Sequence, residues 1–554
     1  MLLRSVLSVV LISLALTLFI AAGYSNGHSS SHNFSWATEY IEVFSWNTLL
    51  PRHLPGLWSQ LGGYDFFFYG PAPFFVLGTI VEPLCRDCSV ETLVVCSAAL
   101  FWFGSACAFY LFIRRHLDKT ASLFGALVYA ILPYHLLIDW FFRQALGEFA
   151  AYAFLPLIAY GFETLRKERN RGWVLALGVA GTTLCHLPTA LLVAHVFTLI
   201  TLLISWQQYH EGRNPIHFFG SVFVWTALGG LLSSFYWLPA LALMGTVSPD
   251  LLYTEHFVAG SWLYGLSFDQ PDFESSLYIL LSFAVAVPFL ISGAFAADKI
   301  GRIWILTLPT VTLLLNVDPA AFIWENWIIS KVQFPWRMMV FVDFATAMAI
   351  AFTVEHLPSK RWSAVLCLCA AVAFLPSSLI ATQSSHWIET KYDGHMAKIG
   401  AAEYLSKETV SAIRQNLDVD ETHIINRNNA APVLKEAASQ AEATAAKLIN
   451  FEVLSRRTHV VVLTDAPLLI VPIQFWQLWE AETEDGVKLA LSPHPTWGTL
   501  NIELPAGNFK GKQVTLTLPF HWSEKVGFLT SGLSLALLLA HTWTNHRRRA
   551  VQLK

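Results

Sequence analysis

Apolar runs that are candidates to cross a bilayer, several of them short, recur along most of this chain, near residues 5–22, 90–113, 120–138, 148–165, 173–186, 189–206, 218–238, 276–297, 303–317, 338–355, 363–383 and 526–543. A crossing helix needs about 20 apolar residues, because inside hydrocarbon each backbone N–H and C=O must be paired within the segment. Twelve such runs predict a polytopic α-helical membrane protein of about twelve spans. Composition agrees, since 13% of residues are charged against about 25% in soluble domains. The shortage is uneven. A multi-span part (1–383) precedes an ordinary water-facing stretch (384–525), and a last span with a basic tail follows (526–554).

Orientation follows from the Lys/Arg bias of short loops. With the N-terminus inside behind Arg4, that residue together with the breaks at 114–119, 166–171, around Arg213, 298–302, 359–361 and the tail accounts for 17 of the 35 Lys and Arg. The opposite short loops hold five: Arg52, Arg86, Arg143, Lys331 and Arg337. The other thirteen lie in 384–525, and long domains translocate regardless of charge. Both termini are therefore expected in the cytoplasm, with the large loops and the 384–525 domain outside. Met1 to Ala22 has the charge and small-residue end of a signal peptide. Its apolar run of about 18 residues exceeds the roughly 7–15 of a signal core, so it is expected to remain as a span. A net charge of −4 without a long basic run argues against a nucleic-acid partner. Cys85 and Cys88 form a C-R-D-C pair in an outer loop, where a disulfide and two unpaired thiols both fit; a metal site would lack two ligands.

The outer loops carry the chemistry. The segment 23–89 is too long for a connector, and loops of that size are usually functional. Its TEYIEVFSWNTLL (38–50) predicts an amphipathic helix lying in the interface, and the aromatic GGYDFFFYGPAPFF (62–75) predicts a stretch at headgroup depth. Later, LLIDWFFRQALGEF (136–149) sets Asp139, Arg143 and Glu148 in apolar text. Taken singly, Arg143 reads as a surface pair with Asp139 at i, i+4, and Arg337 as a snorkelling side chain. Arginine's planar fork suits carboxylate or phosphate, however, and three arginines on one face (Arg52, Arg143, Arg337) predict a shared anionic ligand at the outer mouth. Glu39, Glu42, Asp65 and Glu148 are carboxylates on that side, and His186 stands at an outer span end, where a helix-end histidine satisfied by backbone is the commoner case.

The stretches LLPRHLP (49–55), GGYDFFFYGPAPFF (62–75), RQALGEF (143–149), CHLPTALL (185–192), FYWLPAL (235–241) and VQFPWRM (332–338) resemble the bacterial integral-membrane family called 6-pyruvoyl-tetrahydropterin-synthase-related. That family is similar in turn to the GT-C class of membrane glycosyltransferases. The resemblance implies a GT-C-like fold in a bacterial inner membrane, a polyprenyl-phosphate-linked sugar as donor, and an acidic catalytic residue in the first outer loop. It leaves room for a divalent cation as cofactor. Where relatives tend to place an aspartate followed closely by histidine, this chain has Asn33, so either Glu39 or Glu42 is expected to be the acidic residue that deprotonates the acceptor hydroxyl, or the activity is lost. Arg52, Asp65, Tyr69, Arg143, Glu148, His186 and Arg337 are expected to bind substrate.

Residues 384–450 read as helical, and 451–522 as short alternating strands that predict a small α+β or β-sandwich domain before the last span. It is expected to act as a lid or scaffold, with Trp476 and Trp479 packing the sheet rather than forming a sugar platform. The leading expectation is a transferase moving the sugar onto an extracytoplasmic acceptor. The rivals are a transporter or lipid-linked-sugar flippase, for which Asp343 is the buried-charge hint, and a non-catalytic assembly factor of the same fold, for which Asn33 is the hint.

Overall fold

The computed structural model describes residues 27, 29–46, 48–167, 171–253, 258–263, 273–326, 328–357, 398, 400–420, 425, 427–445, 451–455, 458–462, 468–504 and 512–552. The predicted spans 5–22 and 363–383 lie outside these residues.

Helix α1 (Ser30–Val43) belongs to the first long loop. The membrane part runs through α2 (Val90–Ile113), α3 (Lys119–Ile131), a π-helix (Tyr134–Phe142), α4 (Leu146–Ala151), α5 (Leu155–Lys167), α6 (Trp173–Cys185), α7 (Leu187–His210), α8 (Pro215–Leu232), α9 (Ser234–Leu243), α10 (Phe273–Ala296), α11 (Lys299–Leu315) and α12 (Met339–Glu355). Polar residues at the breaks start these helices by accepting stranded amides. Asp118 takes the Ala121 N–H at 2.8 Å, Asp298 that of Gly301 at 2.6 Å, and Asn214 that of Ile216 at 3.0 Å. Two predicted runs divide. The run 148–165 breaks at 152–154 into α4 and α5, and 218–238 breaks at Ser233 into α8 and α9.

Among the described residues five helices are long and apolar enough to cross a membrane, or six if α3 and the π-helix form one span bent by 41°. The chain is a multi-pass membrane protein. Burial ranks the helices: 89% of the window containing α12 is enclosed, against 17% for α8 and for the last helix, so α12 is the central post. Phe341, Phe344, Met348 and Ile350 of α12 join Phe109, Phe112, Tyr129 and Trp304 from α2, α3 and α11 in the main core. Small residues allow the close approach that replaces the hydrophobic effect between helices in lipid. A Cβ on Gly293 of α10 would fall 2.3 Å from the Ala349 Cα.

The first loop departs from its predicted form. The helix spans 30–43 rather than 38–50 and is enclosed, with Phe34, Trp36, Ala37, Glu39 and Tyr40 all buried, rather than lying on a surface. Past Val43 the chain leaves the helix and exposes Trp46. Residues 398 and 400–405 lie against this loop: Trp58 N–H donates to the Lys398 carbonyl at 2.7 Å, and Ala401 N–H to Asp65 at 2.8 Å. Between them, Trp58, Ser59 and Gln60 adopt φ of 54°, 58° and 72°, a left-handed turn without a glycine. Each such residue costs about 1–2 kcal/mol. Cys85 and Cys88 form a disulfide.

After α13 (Lys407–Leu417) and α14 (Arg427–Ala445) come β1 (Phe451–Ser455), β2 (Thr458–Val462), β3 (Leu468–Gln474), β4 (Glu480–Thr483), β5 (Lys488–Pro493), β6 (Thr499–Glu503) and β7 (Gln513–Thr517), then α15 (Trp522–Gln552). The strands form one antiparallel sheet in the order β1-β2-β7-β4-β5-β6-β3, which agrees with the α+β alternative rather than the β-sandwich. β5 is the reason. Its first residues pair with β4 (Lys488 with Glu482) and the rest with β6 (Ala490 with Glu503), so it joins what would otherwise be two layers. One face of the sheet closes on the first loop: Tyr64, Phe67 and Phe68 share a core with Val471, Ile473, Trp476, Trp479 and Leu500. Tyr64 OH donates to the Gln474 carbonyl at 2.7 Å and accepts from Trp479 Nε1 at 2.7 Å. Trp476 and Trp479 are therefore packing residues.

Candidate functional site

The site begins where α3 stops. Leu132 is extended and Pro133 restarts the chain as the π-helix Tyr134–Phe142. That helix closes with three amides turned back on it: Arg143 to Ile138, Gln144 to Trp140 and Ala145 to Asp139. Gln144 holds φ +50° in this reversal, and α4 starts at Leu146. The reversal brings Arg143 and Glu148 together from one short stretch. The third member arrives from far along the chain, on the 3-10 turn Pro335–Met338 that feeds α12.

Glu148 is the hub. Its Oε2 accepts from Arg143 Nη1 at 2.8 Å and from Arg337 Nε at 2.9 Å. Its Oε1 accepts from the hydroxyls of Tyr134 at 3.0 Å and Tyr152 at 2.5 Å. Arg143 Nη1 also donates to Asp139 Oδ1 at 2.6 Å. The side chains of Glu148 and Asp139 are 1% and 0% exposed, which replaces the reading of Arg143–Asp139 as a surface pair. Arg337 is likewise only 7% exposed and does not snorkel. Aromatic faces hold both guanidinium groups, Trp336 under Arg143 at 4.5 Å and Phe334 under Arg337 at 4.8 Å. Arg337 Nη1 donates to the Val332 carbonyl. Among the described residues, Nε and Nη2 of Arg143 and Nη2 of Arg337 take no hydrogen bond. Two fixed cations thus share one carboxylate and keep donors in reserve.

The remaining predicted site residues divide. Tyr69 borders the cluster, since a Cβ on Gly147 would fall 2.9 Å from its hydroxyl. His186 caps α7 by accepting the Thr189 N–H at 3.3 Å, and stands within electrostatic range of Arg337, Glu148 and Arg143. Asp65 joins the same wall through Trp36, whose Nε1 donates to Asp65 Oδ1 at 2.9 Å and whose ring lies 4.3 Å from that of Tyr69. Asp65 Oδ2 has no hydrogen-bond partner, and burial pushes the carboxyl up to about 6.

Arg52 is not brought to the other two arginines. Its Nη1 and Nη2 donate to the carbonyls of Phe66 at 2.7 Å and Phe235 at 2.6 Å, and its Nε lies 3.8 Å from Glu524 of α15. It ties the last helix to the first loop. Glu39 and Glu42 are also elsewhere. The Ser29 N–H at the start of α1 donates to the Arg143 carbonyl, and the helical rise puts Glu39 and Glu42 about 15 and 20 Å further along. Lys398 Nζ binds both, at 2.7 Å and 2.6 Å, and Gly56 N–H donates to Glu39 at 2.7 Å. Burial raises the Glu39 pKa, with Lys398 opposing. Asn33 sits at the cluster's edge, its amide donating to the Gln144 carbonyl. Among the described residues no three His, Cys, Asp or Glu are grouped to hold a metal ion.

No protein-family model matches the chain, and no curated protein matches it. Among solved structures it is similar to the arabinofuranosyltransferase AftD from Mycobacteria at 15% identity and a TM-score of 0.44, over 69% of this chain and 27% of that one. It is also similar to the apo oligosaccharyltransferase of Archaeoglobus fulgidus at 14% identity and a TM-score of 0.38, over 75% of this chain and 60% of that one. The chain thus spans less than two thirds of the length of either.

Sequence reasoning missed Tyr134, Tyr152 and Lys398. Two tyrosines flanking a charged stretch in apolar text were the available signal for the first two, because a buried phenol needs a hydrogen-bond partner. Nothing local to Lys398 indicates that Glu39 and Glu42 await it.

Proposed function

We propose that this chain is a membrane glycosyltransferase of the GT-C kind, binding the phosphate of a polyprenyl-linked sugar donor with Arg143 and Arg337 and passing the sugar to an extracytoplasmic acceptor. The observation that carries the reading is the convergence of these two arginines on the Glu148 carboxylate with guanidinium donors left over. A phosphate needs several N–H donors in a fixed fork, in a site dry enough for charge to count, and arginine provides them bidentately. The leaving lipid phosphate is already anionic, so stabilising its charge is the larger need. Glu148 keeps the two cations from repelling each other before the donor arrives. Of the first-loop carboxylates, Asp65 is best suited to accept the acceptor's proton: one oxygen is unengaged, its pKa is raised towards neutrality, and Tyr69 links it to the cluster. The resemblance to the 6-pyruvoyl-tetrahydropterin-synthase-related family belongs to the same proposal.

The test is transfer from a labelled polyprenyl-phosphate sugar by the purified chain. Arg143→Ala and Arg337→Ala should each abolish donor binding, and Asp65→Asn should abolish turnover while donor binding persists. Full transfer by both arginine variants refutes the reading. One observation favours a second reading, a lipid-phosphate-sugar binder without chemistry. Asp65 is walled in, since Cβ atoms on Gly63 and Gly400 would lie 2.6 and 2.9 Å from its Oδ2. Donor bound but never turned over would select that reading.

A further inference from the structure

A helix that breaks inside a membrane strands amides that must find acceptors within the protein. Here Pro133 contributes no N–H and Leu132 is extended, so the first amides of the π-helix have lost the acceptors of a continuous helix. The acceptor comes from another element. Asp343 Oδ2 on α12 takes the N–H of Tyr134 at 3.0 Å and of His135 at 3.3 Å. Asp343 is 4% exposed and stands six residues after Arg337 on the same post. Tyr134, held by its amide, places its hydroxyl on Glu148 Oε1, while Glu148 Oε2 receives Arg337. The bonds close a ring: from α12 through Asp343 to Tyr134, across to Glu148 on α4, and back through Arg337 to the entrance of α12.

We propose that Asp343 is a positioning residue of the arginine cluster, a helix cap supplied by a neighbouring helix that fixes where Tyr134, and through it Glu148 and both guanidinium groups, can stand. The inference rests on the phosphate-binding role proposed above. A carboxylate in mid-span is by default a candidate for ion coupling. This one is committed to two amides, which is the work of an N-cap and accounts for its burial without transport. The ring also explains why the break in the span is kept rather than healed. A continuous α-helix through 132–134 would not present these amides to Asp343, and the Tyr134 hydroxyl would leave Glu148.

The experiment uses the full chain in detergent with a polyprenyl monophosphate lacking sugar as probe, followed by native mass spectrometry and thermal unfolding. Asp343→Leu is expected to weaken lipid binding about tenfold or more, because the freed amides re-pair by moving Tyr134. Asp343→Asn keeps an acceptor oxygen at the same place and should bind within about threefold of the unaltered chain, as asparagine caps helices about as well as aspartate. Tyr134→Phe leaves the cap intact and removes the hydroxyl from Glu148, and should also weaken binding about tenfold; it carries the test if Asp343→Leu does not fold. A merely structural role would lower the unfolding midpoint of Asp343→Leu or Tyr134→Phe without changing affinity, and that result overturns the inference. So does an Asp343→Asn chain that binds as poorly as Asp343→Leu. No binding by the unaltered chain overturns the phosphate-site reading first, and this inference with it.

Discussion

Replacing Glu148 by glutamine tests the charge arrangement directly. The side chain keeps its shape and can still meet Tyr134 and Tyr152, but the negative charge between Arg143 and Arg337 is gone. Each guanidinium nitrogen lies 2.8–2.9 Å from Glu148 Oε2, so the charge centres are roughly 4 Å apart. At an effective dielectric of about 20 each attraction is on the order of 4 kcal/mol. With part of that recovered by relaxation, breaking the buried arrangement should cost about 3–5 kcal/mol of stability. An anion on the reserve donors would sit about 6 Å from the same carboxylate and feel a repulsion on the order of 3 kcal/mol, which Glu148→Gln removes. The variant should therefore unfold at a lower temperature in buffer, yet bind polyprenyl monophosphate about tenfold more tightly, because the removed repulsion, worth about 100-fold, outweighs the roughly tenfold that lost positioning costs. It should also gain more stability from the lipid than the unaltered chain does. Transfer should fall nonetheless, because the forks are no longer held in register. Midpoints are read by tryptophan fluorescence during heating in detergent, with and without the lipid. Equal lipid-dependent shifts in the two proteins would refute the reasoning, since anion and carboxylate would then not compete for the same cations.

Other outcomes follow from the same geometry. Arg52→Ala should destabilise the chain by about 3 kcal/mol, because the carbonyls of Phe66 and Phe235 lose their charged donors, and leave lipid affinity unchanged, read from midpoint and titration together. Asp65 is protonated more readily folded (about 6) than unfolded (3.8), so the folded chain holds the extra proton between these values. Stability should fall by about 3 kcal/mol as pH rises from about 4 to 6, and Asp65→Asn should flatten that segment of the unfolding profile. Ser59→Gly should raise the midpoint by the equivalent of about 1 kcal/mol, since glycine enters the left-handed turn without a Cβ clash; a lowered midpoint would show that the Ser59 side chain matters more than its backbone.

Legibility from sequence followed the range of the determining interaction. The limits of α2 coincide with the apolar run 90–113, because desolvation of a contiguous stretch decides that helix. Arg143, Glu148 and Arg337 were visible as charges the lipid would reject, and they do meet. Arg52 looked the same in one dimension, but its partners Phe235 and Glu524 lie about 180 and 470 residues away, beyond any pattern that periodicity can report. The first-loop helix was misplaced for a related reason. Lys398 pairs with Glu39 and Glu42 on its polar side, and Glu39 is buried with the apolar residues, so apolar and polar positions do not sort onto opposite faces, and a pattern search finds the wrong register. The sheet defeated strand counting because β5 changes partner midway. Asp343 stands out in the sequence as a charge in a span, but its role depends on a break in another helix that only tertiary structure aligns with it.

The clasp of Asp65 on the Ala401 amide also bears on biogenesis. Its two halves are 336 residues apart, so at about 5–20 residues per second the ribosome needs roughly 17 to 67 seconds to deliver the second after the first. Until then a carboxylate destined for the interior stays hydrated, and the aromatic wall around it has nothing to close against. The first long loop of this protein must therefore wait, accessible to chaperones and proteases, for a segment that follows the central post in the chain.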